Sequence, residues 1–163
     1  MSNIKRYFEE GRPYFITTVT RSRKQIFTDQ KLCRIFLITV EYYKIILDYR
    51  VHGYCVMPDH VHLLLTPAAQ FSLSFIMKMI KGSFARKINK LKSEQGKVWQ
   101  KSFYDSMIRN ERQFMHQMNY IHQNPVSAGL VNSRKDYVFS SYHQYTNLPD
   151  KAGSLLQVES LDG

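Results

Sequence analysis

Long apolar runs are absent from this chain of 163 residues. Stretches such as Phe36–Val40 are far too short to cross a bilayer, so we expect no membrane segment. The first residues contain no apolar segment followed by small residues, as a secretory signal would, and we therefore expect a cytoplasmic location. Cysteine is scarce as well: Cys33 and Cys55 show no CxxC spacing, which favours two reduced, buried thiols.

Acidic residues are few, with 13 Asp and Glu against 23 Lys and Arg. The formal net charge of +10 is large for so small a chain, and such an excess attracts polyanions, above all nucleic acid. Residues 147–163 hold one lysine and three acidic residues, so the basic excess lies in residues 1–146. We expect one folded, catalytic domain at 1–146 and a C-terminal tail at 147–163.

Hydrophobic periodicity predicts an alternation of strands and helices. The predicted strands are 14–20, 51–57, 61–66 and 103–109, and the predicted helices are 29–48, 72–92 and 111–124. Pro125 is expected to end the third helix, and a short helix is expected to follow from Val126. This order predicts an α+β fold: a ferredoxin-like split βαβ arrangement with a central antiparallel sheet and added C-terminal helices.

The segment Met57-Pro-Asp-His-Val-His-Leu-Leu-Leu65 is the most informative in the sequence. On a strand, His60 and His62 lie on one face, about 7 Å apart, where both imidazoles can approach one metal ion. Val61, Leu63 and Leu65 then lie on the opposite face, which the core can bury. The alternative is a pair of ordinary hydrogen-bonded sheet histidines.

A second segment, Asn119-Tyr-Ile-His-Gln-Asn-Pro125, places a nucleophile and an amide on one helix face. Tyr120 and Asn124 are four residues apart and therefore neighbours on a helix. His116 lies one turn before Tyr120 and is a candidate proton acceptor, whereas His122 points elsewhere and is interpreted as structural or DNA-contacting. Alternatively, the tyrosine serves packing and the Asn-Pro pair only marks a helix end.

Several blocks of the sequence together resemble the HUH superfamily, and within it the REP-associated tyrosine transposases. The blocks are Tyr14-Phe-Ile-Thr-Thr18, Gly53-Tyr-Cys-Val-Met-Pro-Asp-His-Val-His-Leu63, Lys81-Gly-Ser-Phe-Ala-Arg86, Trp99-Gln-Lys-Ser-Phe-Tyr-Asp105 and Tyr120-Ile-His-Gln-Asn-Pro-Val126 with Ala128-Gly-Leu130. They span roughly residues 14 to 145. The coupling of His-Val-His to a downstream Tyr-x-His-x-Asn-Pro makes the resemblance specific.

The resemblance implies a function and a set of roles for the matching residues. His60, His62 and Asn124 are expected to bind Mg²⁺ or Mn²⁺, and Tyr120 is expected to attack single-stranded DNA and form a 5′-phosphotyrosine. The expected substrate carries hairpin-forming repeats, and relatives act either as monomers or as homodimers. The sequence is therefore interpreted as a single-strand endonuclease and strand transferase.

Basic residues supply candidate DNA contacts. The candidates are Arg21, Arg23, Lys24, Lys81 and Arg86. Two alternatives stay open at this point. One is a domesticated DNA-binding protein without cleavage activity, which the charge and small size would equally suit. The other is a non-haem iron oxygenase site, which Asn124 disfavours because such sites normally require a carboxylate.

Overall fold

The computed structural model describes residues 11–146, 149 and 155–161. Four strands form one sheet in the order β2-β3-β1-β4, and every neighbouring pair is antiparallel. The strands are β1 (Tyr14–Val19), β2 (Arg50–Met57), β3 (His60–Thr66) and β4 (Tyr104–Met107), and the helices are α1 (Gln30–Leu47), α2 (Leu73–Lys92) and α3 (Glu111–Ser127). The predicted α+β class with a split βαβ arrangement and an antiparallel sheet is confirmed.

The larger hydrophobic core lies between the sheet and the pair α1 and α2. Each of these helices begins at a residue whose side chain caps it: Asp29 accepts from the backbone of Lys31, and Ser72 accepts from that of Phe75. Their buried residues meet the strand face that carries Val61, Leu63 and Leu65, which belong to this core as the alternation predicted. The opposite face of β3 is therefore left for the histidines.

Helix α3 packs on that opposite face, over a smaller apolar cluster. The cluster consists of Phe15, Cys55, Met57, Leu64, Ile108, Phe114, Met118 and Ile121. The helix approaches β2 closely at Gly53, where an added Cβ would lie 2.7 Å from Sδ of Met118. The close packing holds α3 across the face on which His60 and His62 lie.

The prediction that Pro125 ends the third helix is wrong. Helix α3 continues through Pro125 to Ser127 and ends at a Schellman motif, in which the backbone of Gly129 (φ 73°) donates to Val126 and that of Leu130 donates to Pro125. A proline this close to the end removes one helical hydrogen bond, and the glycine cap closes the helix four residues later. The separate short helix expected from Val126 is therefore absent.

After α3, the chain packs along the outer edge of β2, which is an edge strand of the sheet. The C-terminal helices that the sequence predicted are observed here as two short 3₁₀ helices, Arg134–Asp136 and Ser141–Tyr145. Phe139 accepts a backbone hydrogen bond from Val56, and the described part of the tail, 155–161, adds one from Glu159 to Val51. Pairing of this kind satisfies backbone groups that an edge strand would otherwise leave open. Residues 147, 148, 150–154, 162 and 163 of the predicted tail, and 1–10 of the predicted domain, lie outside the described residues.

The two cysteines are unpaired and buried, as the sequence predicted. Burial is the main reason that the pKa of Cys33 rises to about 12, and it also raises the pKa of Cys55. Both groups are therefore poor nucleophiles. Within the described part of the chain, none of the helices has the length and apolar character needed to cross a membrane.

Candidate active site

His60 and His62 converge on the α3 side of the sheet. Their Nε2 atoms lie 3.1 Å apart, and their rings meet edge to face with centroids 4.7 Å apart. Phe15, on the neighbouring strand β1, stacks on His62 with an interplanar angle of 24°. The alternation of strand β3 and the packing of Phe15 thus direct two imidazole nitrogens to one point.

The outer nitrogen of each imidazole has a partner of its own. Nδ1 of His60 lies 2.6 Å from Oδ1 of Asp59, and Nδ1 of His62 lies 2.9 Å from Oγ1 of Thr17. Partners of this kind orient histidine ligands in metal sites. Partial burial opposes ionisation of Asp59, but hydrogen bonds from His60 and Arg23 keep the pKa of Asp59 below its ordinary value.

His62 is kept neutral by its surroundings. Burial is the main cause that lowers the pKa of His62 to about 3, and the charge of nearby His60 adds to it. The amide of Asn124 lies close enough to act in the opposite direction without completing a hydrogen bond. A neutral imidazole with one bare nitrogen is the form that binds a metal ion.

Asn124 contributes an oxygen that lacks a partner. Its side-chain Oδ1 is buried and has no hydrogen-bond partner in the part of the chain that the structure describes. A buried polar atom without a partner is costly, and such atoms in native proteins often serve a ligand. Among the described residues no three His, Cys, Asp or Glu side chains are grouped to hold an ion. A third ligand beside the two imidazoles would therefore come from another kind of side chain, and the amide oxygen of Asn124 is such a donor in the same cleft.

Tyr120 lies one helical turn before Asn124, and its side chain is exposed to solvent. Its side chain is 47% exposed, and its ring meets His62 edge-on with centroids 5.4 Å apart. An open cleft of about 680 Å³ lies over these groups. The cleft is lined by Phe15, Thr17, Val19, Arg23, His60, His62, Tyr104, His116, Gln117, Tyr120 and Asn124. All four predicted site residues therefore share one cleft.

The predicted DNA contacts are distributed unevenly around the cleft. Arg23 lines it, whereas Arg21 and Lys24 line a neighbouring groove of about 440 Å³ together with Lys92 and Lys97. Lys81 and Arg86 lie on α2, across the sheet from the histidines, and neither lines the cleft. Lys81 instead donates a hydrogen bond to the backbone of Gln100.

A second groove was missed in the sequence analysis. It has a volume of about 550 Å³ and shares His116 and Gln117 with the cleft, so the two adjoin along α3. Arg109 and Arg112 are exposed in it, and the residues lining it include no acidic side chain. Isolated arginines give no pattern in a sequence, so only the fold reveals this groove.

Thr17 and Asp59 were also missed as parts of the site. Both lie inside blocks that carry the family resemblance, and that position was the available signal. Thr17 lies two residues from Phe15 on β1, so both side chains lie on the histidine face of the sheet, and Thr17 is paired with His62 on the neighbouring strand β3. Asp59 sits in the turn between β2 and β3, where the sequence pattern indicates only a turn residue.

The chain is similar to a known family and to known proteins. Residues 12–124 match the family described as "Transposase IS200 like". The chain is 31% identical to the REP-associated tyrosine transposase of Escherichia coli over 147 residues, covering 88% of this chain and 84% of that protein. It is 30% identical over 157 residues to an inferred REP-associated tyrosine transposase of Haemophilus influenzae, covering 88% of this chain and 87% of that protein.

Two solved structures are similar as well. One is a REP-associated tyrosine transposase bound to a REP hairpin, with a TM-score of 0.75 and 28% identity, covering 88% of this chain and 84% of that one. The other comes from Deinococcus radiodurans, with a TM-score of 0.52 and 21% identity, covering 72% of this chain and 93% of that one. The second similarity concerns the fold alone.

Proposed function

This chain belongs to the family of IS200-like transposases, and we propose that it cuts and rejoins single-stranded DNA with Tyr120 as a metal-assisted nucleophile. One observation carries the proposal. The exposed phenol of Tyr120 shares a cleft with two converging imidazole nitrogens and with a buried amide oxygen that has no hydrogen-bond partner among the described residues.

The donor set of the cleft suits a divalent cation. His60, His62 and Asn124 would supply two nitrogens and one neutral oxygen, and Mg²⁺ or Mn²⁺ would leave further positions for water and phosphate. A bound cation would withdraw charge from a non-bridging oxygen of the scissile phosphate. The stacking of Phe15 and the hydrogen bonds of Thr17 and Asp59 keep both imidazoles directed to the same point.

The proposed reaction exchanges one phosphate ester for another. The phenolic oxygen of Tyr120 forms a bond to phosphorus, the bond from phosphorus to the 3′ oxygen breaks, and that oxygen leaves as a 3′-hydroxyl after taking up a proton. A 5′-phosphotyrosine results, and attack by another 3′-hydroxyl reverses the step and seals a new strand. His116 lines the cleft beside Tyr120 and is a candidate acceptor of the phenol proton.

The DNA would lie across the cleft with its phosphates on basic side chains. Arg23 would contact phosphates near the cut, and Arg21 and Lys24 would hold the strand in the neighbouring groove. Lys81 and Arg86 would reach only DNA that extends beyond the cleft. Since one relative binds a REP hairpin, we propose hairpin-forming repeats with single-stranded flanks as the substrate of this chain.

The test is the formation of a covalent adduct. The full chain is incubated with Mn²⁺ and labelled hairpin-forming oligonucleotides with single-stranded flanks from its own genome, and an adduct that resists denaturation is scored on a gel. Wild type should form it, and Tyr120→Phe should not. Tyr104→Phe is the matched control, because Tyr104 is an exposed tyrosine of the same cleft and should retain the adduct.

The alternative is a DNA-binding protein that does not cleave, which the basic charge alone would also support. It predicts hairpin binding that is unaffected by chelators and by His62→Ala, and no adduct with any flanking sequence. Absence of the adduct from wild type, with binding intact, would establish this alternative and refute the proposed reaction.

A further inference from the structure

Asp59 connects His60 to the loop that follows β1. One carboxylate oxygen lies 2.6 Å from Nδ1 of His60, and the other accepts a hydrogen bond of 3.1 Å from Nη1 of Arg23. We propose that Asp59 is a positioning residue that fixes the tautomer of His60, so that its Nε2 is always the bare, metal-facing nitrogen, and that Arg23 holds Asp59 in place. This inference rests on the metal site proposed above.

The argument starts from what each partner can donate. An ionised carboxylate only accepts hydrogen bonds, so the proton of a neutral His60 has to lie on Nδ1. Its Nε2 then carries a lone pair directed at His62. The 2.6 Å separation is short, as expected for a hydrogen bond to a charged acceptor. The tautomer of His60 is thus set before any ion arrives.

His62 is held differently. Its partner Thr17 has a hydroxyl group, which can either donate or accept. Without an ion, Thr17 can donate to Nδ1 of His62, whose Nε2–H then donates to the bare Nε2 of His60 across 3.1 Å. With an ion, Thr17 accepts from Nδ1 and frees Nε2 for coordination. The tautomer of His60 is therefore fixed by Asp59, whereas the tautomer of His62 can change when an ion binds.

The loop that carries Arg23 adopts an unfavourable backbone conformation. Ser22 and Arg23 have φ angles of 56° and 49°, a left-handed region that residues with a Cβ atom rarely occupy. Strain of this kind persists only where the surroundings impose it, and it is concentrated at functional sites. Here it brings the Arg23 side chain back to Asp59 and to the edge of the cleft.

The strained loop is held by the same turn that carries Asp59. The buried Thr20 donates its backbone N–H to the carbonyl of Asp59 at 3.0 Å, and its hydroxyl lies 2.9 Å from that carbonyl and 2.8 Å from the carbonyl of Lys24. Phe27 donates its backbone N–H to Pro58. Loop and turn therefore form one unit. This unit holds the side chains of Arg23, Asp59 and His60 in a chain of hydrogen bonds.

The experiment uses the full chain and two measurements. Nitrogen-15 NMR of the metal-free protein reports which nitrogen of His60 carries the proton, and calorimetry reports its affinity for Mn²⁺. Wild type should show protonated Nδ1. Asp59→Ala should shift His60 to a mixture of tautomers and weaken Mn²⁺ binding roughly 10- to 100-fold. Asp59→Asn, which keeps an accepting oxygen but no charge, should lie between, and Arg23→Gln should produce a smaller loss than Asp59→Ala.

Asp48→Asn serves as the control, because Asp48 is an exposed carboxylate at the far end of α1 and should change neither measurement. If Asp59→Ala does not fold, Asp59→Asn carries the test. Protonated Nε2 on His60 of wild type, or wild-type Mn²⁺ affinity in both Asp59 variants, would overturn the inference. Failure of wild type itself to bind Mn²⁺ would instead refute the proposed metal site, and the NMR result would still decide the tautomer.

Discussion

Nε2 of His122 lies 2.8 Å from Oγ of Ser141, and both side chains are buried. The same Oγ accepts a hydrogen bond of 2.9 Å from the backbone of Tyr54 on β2. One hydroxyl group thus ties α3 to the sheet through the chain that follows the helix. His122 belongs to the block that contains Tyr120 and Asn124, yet it points away from the cleft and serves the position of the helix that carries them.

We expect Ser141→Ala to lower the free energy of unfolding by about 1–3 kcal/mol, because it leaves a buried imidazole and a buried backbone N–H without their partner. His122→Ala should lower the free energy of unfolding by a similar amount. The double variant should lose less than the sum of the two single variants, since both residues act through one hydrogen bond. Urea unfolding measures all three. Adduct formation should persist at low temperature. Its loss in a His122 variant of unchanged stability would contradict a structural role.

Asn124→Asp should strengthen Mn²⁺ binding while weakening the metal-free fold. A carboxylate adds a charge to the ligand set, which should raise the affinity on the order of tenfold. Without an ion, however, the charge would be buried where the amide oxygen now has no partner among the described residues, at a cost of about 1–3 kcal/mol or more. Calorimetry and thermal unfolding with a chelator measure the two effects. Asn119→Asp, at an exposed position of the same helix, is the control; equal effects of both substitutions would remove Asn124 from the metal site.

Arg109→Ala combined with Arg112→Ala should weaken binding of a hairpin that has a long single-stranded flank, and should leave the bare hairpin unaffected. The reason is that both arginines line the groove that adjoins the cleft along α3. The slope of log affinity against log salt should become shallower by about 0.7 for each phosphate that the variant no longer neutralises. Fluorescence anisotropy at several salt concentrations measures this slope.

The control for that prediction removes two other exposed cations. Lys78 and Lys90 lie on α2, across the sheet from the cleft, so their double alanine variant changes the net charge equally. It should alter the affinity for the flank far less. Equal reductions of affinity in the two double variants would mean that the groove has no special role and that overall charge attracts the DNA.

The stability of the metal-free protein should fall as the pH drops below about 6.5. In the fold, burial above all lowers the pKa of His122 to about 4 and that of His62 to about 3, and it also lowers the pKa of His52. The unfolded chain binds these protons near pH 6.5, so stability is full above that value and is lost as the pH falls toward the folded-state pKa values. Between pH 7 and 5, protonation of His122 and of His62 should each cost about 2 kcal/mol.

Urea unfolding at pH 7, 6 and 5 in the presence of a chelator measures this loss. In His122→Asn, the loss of unfolding free energy between pH 7 and pH 5 should be smaller by about 2 kcal/mol, an average of about 1 kcal/mol per pH unit. An unchanged slope would show that His122 takes up its proton in the folded protein as readily as in the unfolded chain.

Helix α3 illustrates where local sequence reasoning fails. Pro125 disfavours a helix locally, and the prediction therefore ended the helix at Asn124. The observed helix continues because Gly129 supplies the left-handed cap and because Ile121 and Pro125 are both buried. Packing and the cap four residues later together outweigh one missing hydrogen bond, and the packing depends on residues that are distant in sequence.

The sequence by itself determined the order of strands and helices, the family, and the placing of His60 with His62 and of Tyr120 with Asn124. The order of elements and the two placings follow from periods of two and of about 3.6 residues, which are properties of local backbone geometry. The family resemblance rests instead on the coupled His-Val-His and Tyr-x-His-x-Asn-Pro motifs. The tertiary structure decided what lies between the segments: that α3 crosses the histidine face, that Asp59 and Thr17 hold the outer nitrogens, and that Arg109 lies in a groove that adjoins the cleft. Such contacts depend on the packing of elements distant in sequence, and local periodicity carries no information about them.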